Sequence, residues 1–394
     1  MSAPLEVYEL RQLAVAGARK VSNPRNLSPF TGRRRDLSYL QQAWQSSAQG
    51  RGQAVIVTGE AGVGKSRLFQ EFIGALPPGE VQILRGVVPA HGKAAPFQAL
   101  VSLLSEYFGL LPEDDHDQLR ARLQAGLAVH SSTGSKFQTP LLALFQVPLL
   151  DHDDDDEIWR LASPMQRRRR ILNAGIGFLT LLAAKTPLTV VFEDVQRADS
   201  DSLAFIAELM AAQPQLPVLL LVNQRNEFDH AWPDLIHCQQ HELPALEKDN
   251  AAGLLDGLLG QDQSLGDLKD MLIERSGGNP LFLEEALGEL VESGALTGAP
   301  GRRTMGRAVD SLETPGTVQG IIAARMDHLA VADKEALQMA AVFGDEVPLS
   351  LLQRLSETSP MDMAAAMARL HDGGYLVEAE LFPDIVYRFK SVLI

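Results

Sequence analysis

Residues 59–66 read Gly-Glu-Ala-Gly-Val-Gly-Lys-Ser, the G-x-x-x-x-G-K-[ST] spacing of a phosphate-binding P-loop. Glycines at Gly59, Gly62 and Gly64 let the backbone curl until successive N–H groups point at phosphate oxygens, and a helix N-terminus adds partial positive charge. Glu60, Ala61, Val63 and the first helical residue, Arg67, complete that cradle. Lys65 would reach the β- and γ-phosphates, and the Ser66 hydroxyl would complete the shell of a Mg²⁺. A glycine-rich turn with a chance lysine is the alternative, and the flanks argue against it. An apolar strand over residues 54–58 leads in, and a helical pattern over residues 67–75 leads out, closed by Pro77-Pro78. The spacing therefore implies a bound nucleoside triphosphate.

Hydrolysis needs acids beside the metal and the attacking water, normally on a neighbouring strand. Leu188-Thr189-Val190-Val191-Phe192 followed by Glu193-Asp194 supplies them. One acid would hold the ion's water shell and the other would polarise the water; the sequence leaves open which does which. The long separation from the P-loop, with a strand candidate over residues 81–88 between them, points to the ATPase branch with an extra strand rather than to a simple P-loop kinase. The next strand, over residues 218–222, runs into Asn223-Gln224-Arg225, and Arg225 at that edge could reach the γ-phosphate. Asp199 and Asp201 read as caps for the helix that follows.

Composition bounds the rest. The 394 residues carry 50 acidic and 35 basic side chains, a formal net charge of −15. Such a chain is repelled on average by nucleic acid and by anionic lipid. The most apolar stretch, residues 171–184, falls short of the roughly 20 residues that cross a bilayer, and no signal-peptide pattern opens the chain. The lone Cys238 offers neither an internal disulfide nor a thiolate metal cluster. These features suggest a cytoplasmic protein. An acid-rich run, Asp151-His152-Asp153-Asp154-Asp155-Asp156-Glu157, lacks the alternating ligands and turn glycine of a calcium loop and reads as a solvated loop. Arg167–Arg170 read as the hydrated first turn of a helix.

Strand candidates at residues 54–58, 81–88, 188–192, 218–222 and 240–243 alternate with helical patterns at 37–48, 68–75, 97–108, 165–184 and 202–212. This alternation predicts an α/β fold, a parallel sheet covered by helices on both faces. Residues 110–161 are less regular and read as an insertion at the sheet's edge. From residue 244 the strands stop. Helical patterns follow at 246–260, 264–275 and 280–293, then at 318–329, 332–343, 348–355 and 361–371. Two extended runs, 375–380 and 385–389, close the chain as a hairpin, which suggests a winged helix. The expected division is a linker at 1–28, a P-loop NTPase domain at 29–243, a helical lid at 244–314 and a winged-helix-like domain at 315–394. The uncapped apolar end, Val392-Leu393-Ile394, suggests that a longer protein continues beyond it.

These pieces together resemble a family. Thr31-Gly32-Arg33-Arg34-Arg35-Asp36-Leu37 resembles the "GRxxEL" opening segment of signal-transduction (STAND-type) AAA ATPases. Glu193-Asp194-Val195-Gln196-Arg197-Ala198-Asp199 resembles their "EDLHWAD" signature. Ser276-Gly277-Gly278-Asn279-Pro280-Leu281-Phe282-Leu283-Glu284-Glu285 resembles their "GGNPLFLEE" segment. The resemblance covers residues 28–394. It implies an ATP/ADP and Mg²⁺ switch that hydrolyses slowly, with Gly32, Arg33 and Pro280 flanking the adenine and a lid over the nucleotide. Gln196 and Arg197 depart from the family's histidine and tryptophan, and Ser391 stands where a histidine often follows a basic residue.

Pro4-Leu5-Glu6-Val7-Tyr8-Glu9-Leu10 resembles the tail of class III adenylate/guanylate cyclase domains, which often run into this module. The resemblance implies the regulatory ATPase part of a cyclase-like protein, without cyclase activity in these residues. The same module occurs in LuxR-type transcription regulators, and a P-loop kinase of a small molecule is a third reading. The implied partners are the nucleotide and other domains of a larger signalling protein, with self-association allowed. Direct nucleic-acid and membrane binding are not expected: the last helix, residues 361–371, offers only Arg369 and His371 as basic groups.

Overall fold

A computed structural model describes residues 28–87, 96–111, 114–150, 156–306, 318–344, 346–356, 358–380, 384–390 and 394. The linker at 1–27, with its Pro4–Leu10 run, most of the acid-rich run (151–155) and Ser391 lie outside the described residues.

The first unit opens with α1 (Arg34–Ala48), β1 (Gln53–Thr58), α2 (Lys65–Gly74), β2 (Gln82–Val87) and α3 (Gln98–Phe108). It continues through α4 (His116–Ala128), α5 (Ser131–Ser135), α6 (Gln138–Leu144), α7 (Asp156–Leu161) and α8 (Pro164–Ala183). It closes with β3 (Leu188–Glu193), α9 (Ser200–Ala212), β4 (Val218–Gln224) and β5 (Cys238–Glu242). The five strands form one parallel sheet in the order β2-β3-β4-β1-β5. β4, not β2, is therefore the strand between the P-loop strand and the acidic strand, and β2 is an outer edge.

The sheet is apolar on both sides because it is covered on both. Val55, Val57, Val191, Leu219 and Leu221 face α1 and α2. Ala54, Ile56, Val190, Phe192, Leu220 and Val222 face α3, α8 and α9. This is why strands β3 and β4 read as unbroken hydrophobic runs. Each fully buried aliphatic side chain contributes about 1.5–3 kcal/mol, so the alternation along β1, β3 and β4 fixes which helix packs on which face.

Residues 110–161 differ from expectation. The described ones are mainly helices stacked on the outer side of α3 and α8, where Leu123, Leu127, Leu141 and Leu142 join Phe108 and Phe178 in one core. The sheet itself does not carry them. The capping box of Asp115 with Gln118 starts α4, and that of Ser163 with Gln166 starts α8, with Pro164 in the first turn. Because α8 starts at Pro164, the arginine run falls beyond its first turn rather than in it, and Arg168 and Arg169 reach Asp201 and Glu208 on α9. Asp199 does cap α9, whereas Asp201 sits within its first turn.

The second unit is helical: α10 (Lys248–Leu259), α11 (Gly266–Ser276) and α12 (Pro280–Glu292), with the short antiparallel pair β6 (Leu296–Thr297) and β7 (Thr304–Met305). The third comprises α13 (Val318–Asp327), α14 (Val331–Phe343), β8 (Glu346–Pro348), α15 (Leu349–Leu355), α16 (Pro360–Asp372), β9 (Leu376–Glu380) and β10 (Val386–Phe389). Its strands form an antiparallel sheet in the order β8-β10-β9. The expected boundary near 314 falls outside the described residues. α13 bridges the two units: Ile321 is buried in the core of α10–α12, while Met326 packs on the core of α14–α16.

Candidate nucleotide-binding site

The C-terminal ends of parallel strands are where α/β sheets hold ligands. Here those ends open into a cleft of about 850 Å³, within the roughly 300–1,000 Å³ common for ligand pockets. Its floor is the P-loop and the tips of β3 and β4. Its opposite wall is α12 and the C-terminal sheet. Residues 61–67, Arg33, Glu193, Asp194, Arg225 and Pro280 all line it; Gly32, Gly59 and Glu60 do not.

The loop's glycines are required by geometry. Gly62 and Gly64 have positive φ (79° and 100°), a region that side chains disfavour. A Cβ on Gly59 would lie 2.8 Å from the Leu243 carbonyl oxygen, and one on Gly62 would lie 2.7 Å from Leu281 Cβ. Gly64 caps α2 without any side chain, so the helix's first N–H groups face the cleft bare. Lys65 is buried and donates to the carbonyls of Gly59 (2.8 Å) and Glu60 (2.9 Å). Burial holds its ammonium below the usual lysine value, opposed chiefly by the Asp194 carboxylate.

The acids sit at the end of β3. Asp194 has left-handed backbone (φ 52°), a conformation that costs a non-glycine residue about 1–3 kcal/mol. Asn223, fully buried at the end of β4, accepts the Asp194 N–H on Oδ1 (2.8 Å) and donates from Nδ2 to Glu193 (3.4 Å). Gln196 donates to the Asp194 carboxylate (2.9 Å). One amide thus positions both acids. The sequence places Asn223 two residues before Arg225, yet its apolar strand context gives no sign of this role. Arg225 follows β4 and is close enough for its charge to oppose that of Lys65.

Other expected residues have more specific tasks. Arg33 is buried; its Nη2 donates to the carbonyls of Val63 (3.0 Å) and Pro244 (2.7 Å), tying the P-loop to the start of the helical unit. Burial lowers its pKa against the pull of Asp36. Gly32 is a packing glycine, since a Cβ there would lie 2.6 Å from Asn250 on α10. Arg67 lines the rim, but its guanidinium is engaged by Glu71 (2.9 Å) and the Ser28 carbonyl (3.2 Å), with the Phe30 ring beneath it.

Asp199 is held by the N–H groups of Phe97, Gln98 and Ser202 and by the Ser202 hydroxyl. Burial would raise its pKa, but these bonds outweigh it and keep the carboxyl below its usual value. This is a joint between α3 and α9 rather than a group facing the cleft.

The far wall is tied in by charges. Glu284 on α12 accepts from the Ser28 hydroxyl and pairs with Lys390 at the end of β10 (3.2 Å). Arg325 of α13 is buried between Glu285 and Glu292 of α12, donates to the Gly373 carbonyl (2.7 Å) and lies over the Tyr375 ring. Burial disfavours its charge, yet the two glutamates outweigh that and raise its pKa. Among the described residues no group of three or more histidine, cysteine or acidic side chains could hold a metal alone, and no helix is long and apolar enough to cross a membrane.

Comparison with known proteins agrees with this geometry. Residues 29–222 match the family model of the AAA ATPase domain. An uncharacterized protein of Rhizobium meliloti (strain 1021) is 25% identical over 420 residues, which cover 100% of this chain and 37% of that protein. The chain thus spans little more than a third of that relative's length.

Two solved structures are similar at lower identity. A signal transduction ATPase with numerous domains and a tetratricopeptide repeat sensor, from Pyrococcus horikoshii, is 13% identical with a TM-score of 0.49, over 93% of this chain and 43% of that one. The Orc1 protein of Aeropyrum pernix, solved in complex with DNA, is 11% identical with a TM-score of 0.40, over 93% of this chain and 92% of that one. The matched family, the parallel sheet and the glycine-built loop agree: residues 29–222 form an AAA-type P-loop module.

Proposed function

We propose that this chain is an ATP-driven signalling switch of the STAND type, binding ATP and ADP, hydrolysing ATP slowly with Mg²⁺, and regulating another part of a larger protein. The observation that carries this reading is the composition of one cleft. Lys65, Glu193, Asp194 and Arg225 line its floor, and the wall facing them belongs to separate helical and sheet units. A switch needs a ligand with different affinity for two forms, and a cleft closed by a separate unit supplies the difference.

The residues fit the ligand. The bare N-terminus of α2 and the positive-φ glycines make an anion cradle. Lys65 would exchange its loop carbonyls for β- and γ-phosphate oxygens. The Ser66 hydroxyl and the carboxylates of Glu193 and Asp194 are hard oxygen donors suited to Mg²⁺, which binds through one or two carboxylates and the substrate's phosphates. That ion would supply charge neutralisation on the phosphates. The carboxylate not engaged in this way would orient a water, and Arg225 would sense the γ-phosphate. Gly32, Arg33 and Pro280 belong to the adenine end, with Arg33 acting through the P-loop backbone. Residues 29–243 would be the NTPase domain, 244–314 the lid and 315–394 a winged helix, the last supported by the helix, strand, helix, helix, hairpin order from α14 onward.

The resemblance of residues 4–10 to a cyclase-domain tail supports a class III adenylate/guanylate cyclase-like setting, and the lone Cys238 supports a cytoplasmic one. The test is direct. Titration with ATP, a non-hydrolysable analogue and ADP, with and without Mg²⁺, should give saturable binding, and single-turnover hydrolysis should be slow and Mg²⁺-dependent. Absence of nucleotide binding would overturn the reading. Phosphate transfer to a small-molecule acceptor in place of water would convert it to a kinase.

A further inference from the structure

Asn279 joins two parts of the chain that lie far apart in sequence. Its Nδ2 donates to the carbonyl of Ala61 in the P-loop (2.9 Å), while its Oδ1 accepts the N–H groups of Leu281 (3.1 Å) and Phe282 (3.4 Å) at the start of α12. The Leu281 N–H also donates to the Gly62 carbonyl (3.3 Å). A Cβ on Gly62 would lie 2.9 Å from Asn279 Oδ1, and Gly278 has no room for a side chain against the Leu246 carbonyl. The carboxamide thus lies against the Gly62 backbone with both of its polar atoms used.

The two carbonyls concerned belong to the peptides that carry the N–H groups of Gly62 and Val63. In a planar trans peptide the N–H and C=O point in opposite directions. Fixing the Ala61 and Gly62 carbonyls toward α12 therefore aims the next two N–H groups away from it, into the loop. We propose that Asn279 is a positioning residue for the phosphate cradle: through Ala61 it holds the P-loop peptides in the orientation that anion binding needs, so that phosphate affinity depends on α12 being docked. This rests on the P-loop's being the nucleotide site. It also reads the Asn of Gly-Asn-Pro separately from Pro280, whose expected contact is with the base.

An acceptor at the head of a helix caps it equally well as Asn, Asp or Ser, but a carboxylate has no proton for Ala61, and the serine hydroxyl ends one bond short of the amide nitrogen that donates there. Asn279→Ser and Asn279→Asp therefore separate the cap from the cradle. Both variants should melt like the native chain, and Asn279→Ser, which adds no charge, should bind ADP about five- to tenfold more weakly, the scale of one lost hydrogen bond. Inorganic pyrophosphate, measured by displacement of a fluorescent ADP analogue, should weaken by the same factor. The amides of residues 62 and 63 should exchange faster in the nucleotide-free variant.

Native ADP and pyrophosphate affinity in Asn279→Ser would overturn the inference while leaving the nucleotide site intact. A loss for ADP but not for pyrophosphate would move Asn279 to the base end and also overturn it. Loss of folding in both variants would assign the residue to the cap alone. Failure of the native chain to bind nucleotide at all would instead count against the site.

Discussion

The ammonium group of Lys65 lies 2.8 Å from the carbonyl oxygen of Gly59, inside the loop it belongs to. The loop satisfies its own cation, and a phosphate must take that cation over. Lys65→Ala removes the cation and relieves a buried charge whose pKa is already depressed by burial. Nucleotide affinity should fall by at least tenfold, with the melting temperature unchanged or slightly raised. Calorimetric titration and a thermal melt on the same sample check both halves.

Glu193→Gln and Asp194→Asn should lower turnover far more than nucleotide affinity, because in the proposed mechanism the acids would act through metal and water. Asn223→Ala, which frees both acids at once, should reproduce the loss without removing either carboxylate. Single-turnover hydrolysis at saturating ATP separates this from a binding defect; wild-type rates in all three variants would remove β3 from the site.

In the proposed binding mode Arg225 and Pro280 would lie toward opposite ends of a nucleotide held by the P-loop. Arg225→Ala should narrow the preference between ATP analogue and ADP, since the charge-assisted bond proposed for it would need the γ-phosphate. Pro280→Ala should weaken both about equally. Titration of each variant with the two ligands gives the ratios, and an unchanged ratio in Arg225→Ala returns that residue to the surface.

The buried pair of Arg325 with Glu285 should be costly to break and cheap to replace. Glu285 is 1% exposed, so Arg325→Met leaves an uncompensated buried carboxylate, at about 3–5 kcal/mol. Arg325→Met combined with Glu285→Leu should recover much of that loss. Urea unfolding of the two variants measures the difference; equal loss in both would place the cost with Glu292 or with packing against Tyr375 rather than with the Glu285 charge.

His130 gives a pH dependence. It is buried beside the Tyr107 hydroxyl (2.8 Å), and burial followed by Lys185 lowers its pKa. A histidine whose folded pKa is lowered takes up its proton more readily when unfolded. Stability is therefore full above the unfolded value of about 6.5 and is lost as the pH falls below it. Melting temperature should drop between pH 7.5 and 5.5, and His130→Gln should flatten that slope. An identical slope in the variant would place the titrating group elsewhere.

Local chemistry was legible in the sequence and contacts across the chain were not. The P-loop, the acids after β3 and the strand order of burial follow from spacing and apolar runs, which are properties of neighbours. Asn223 and Asn279 act on residues some distance away in sequence, one across adjacent strands and the other across the whole sheet unit, and no spacing rule reaches that far. The insertion is a different case. The Asp115–Gln118 box was a visible signal for α4, but the apolar residues of α4 are few, so periodicity alone left the region irregular. Arg33 was legible as part of a site, while its bonds to Val63 and Pro244 emerge only once the fold brings three segments together.

Glu284 is one helical turn beyond Pro280, and it meets Ser28 on one side and Lys390 on the other. The first and nearly the last of the described residues are thereby fastened by a single clasp at the mouth of the cleft. A tug on the chain before Ser28 and a twist of the last strand arrive at the same rotor, so neighbours attached at either terminus would work the same fastening, and loosening it from one end would be felt at the other.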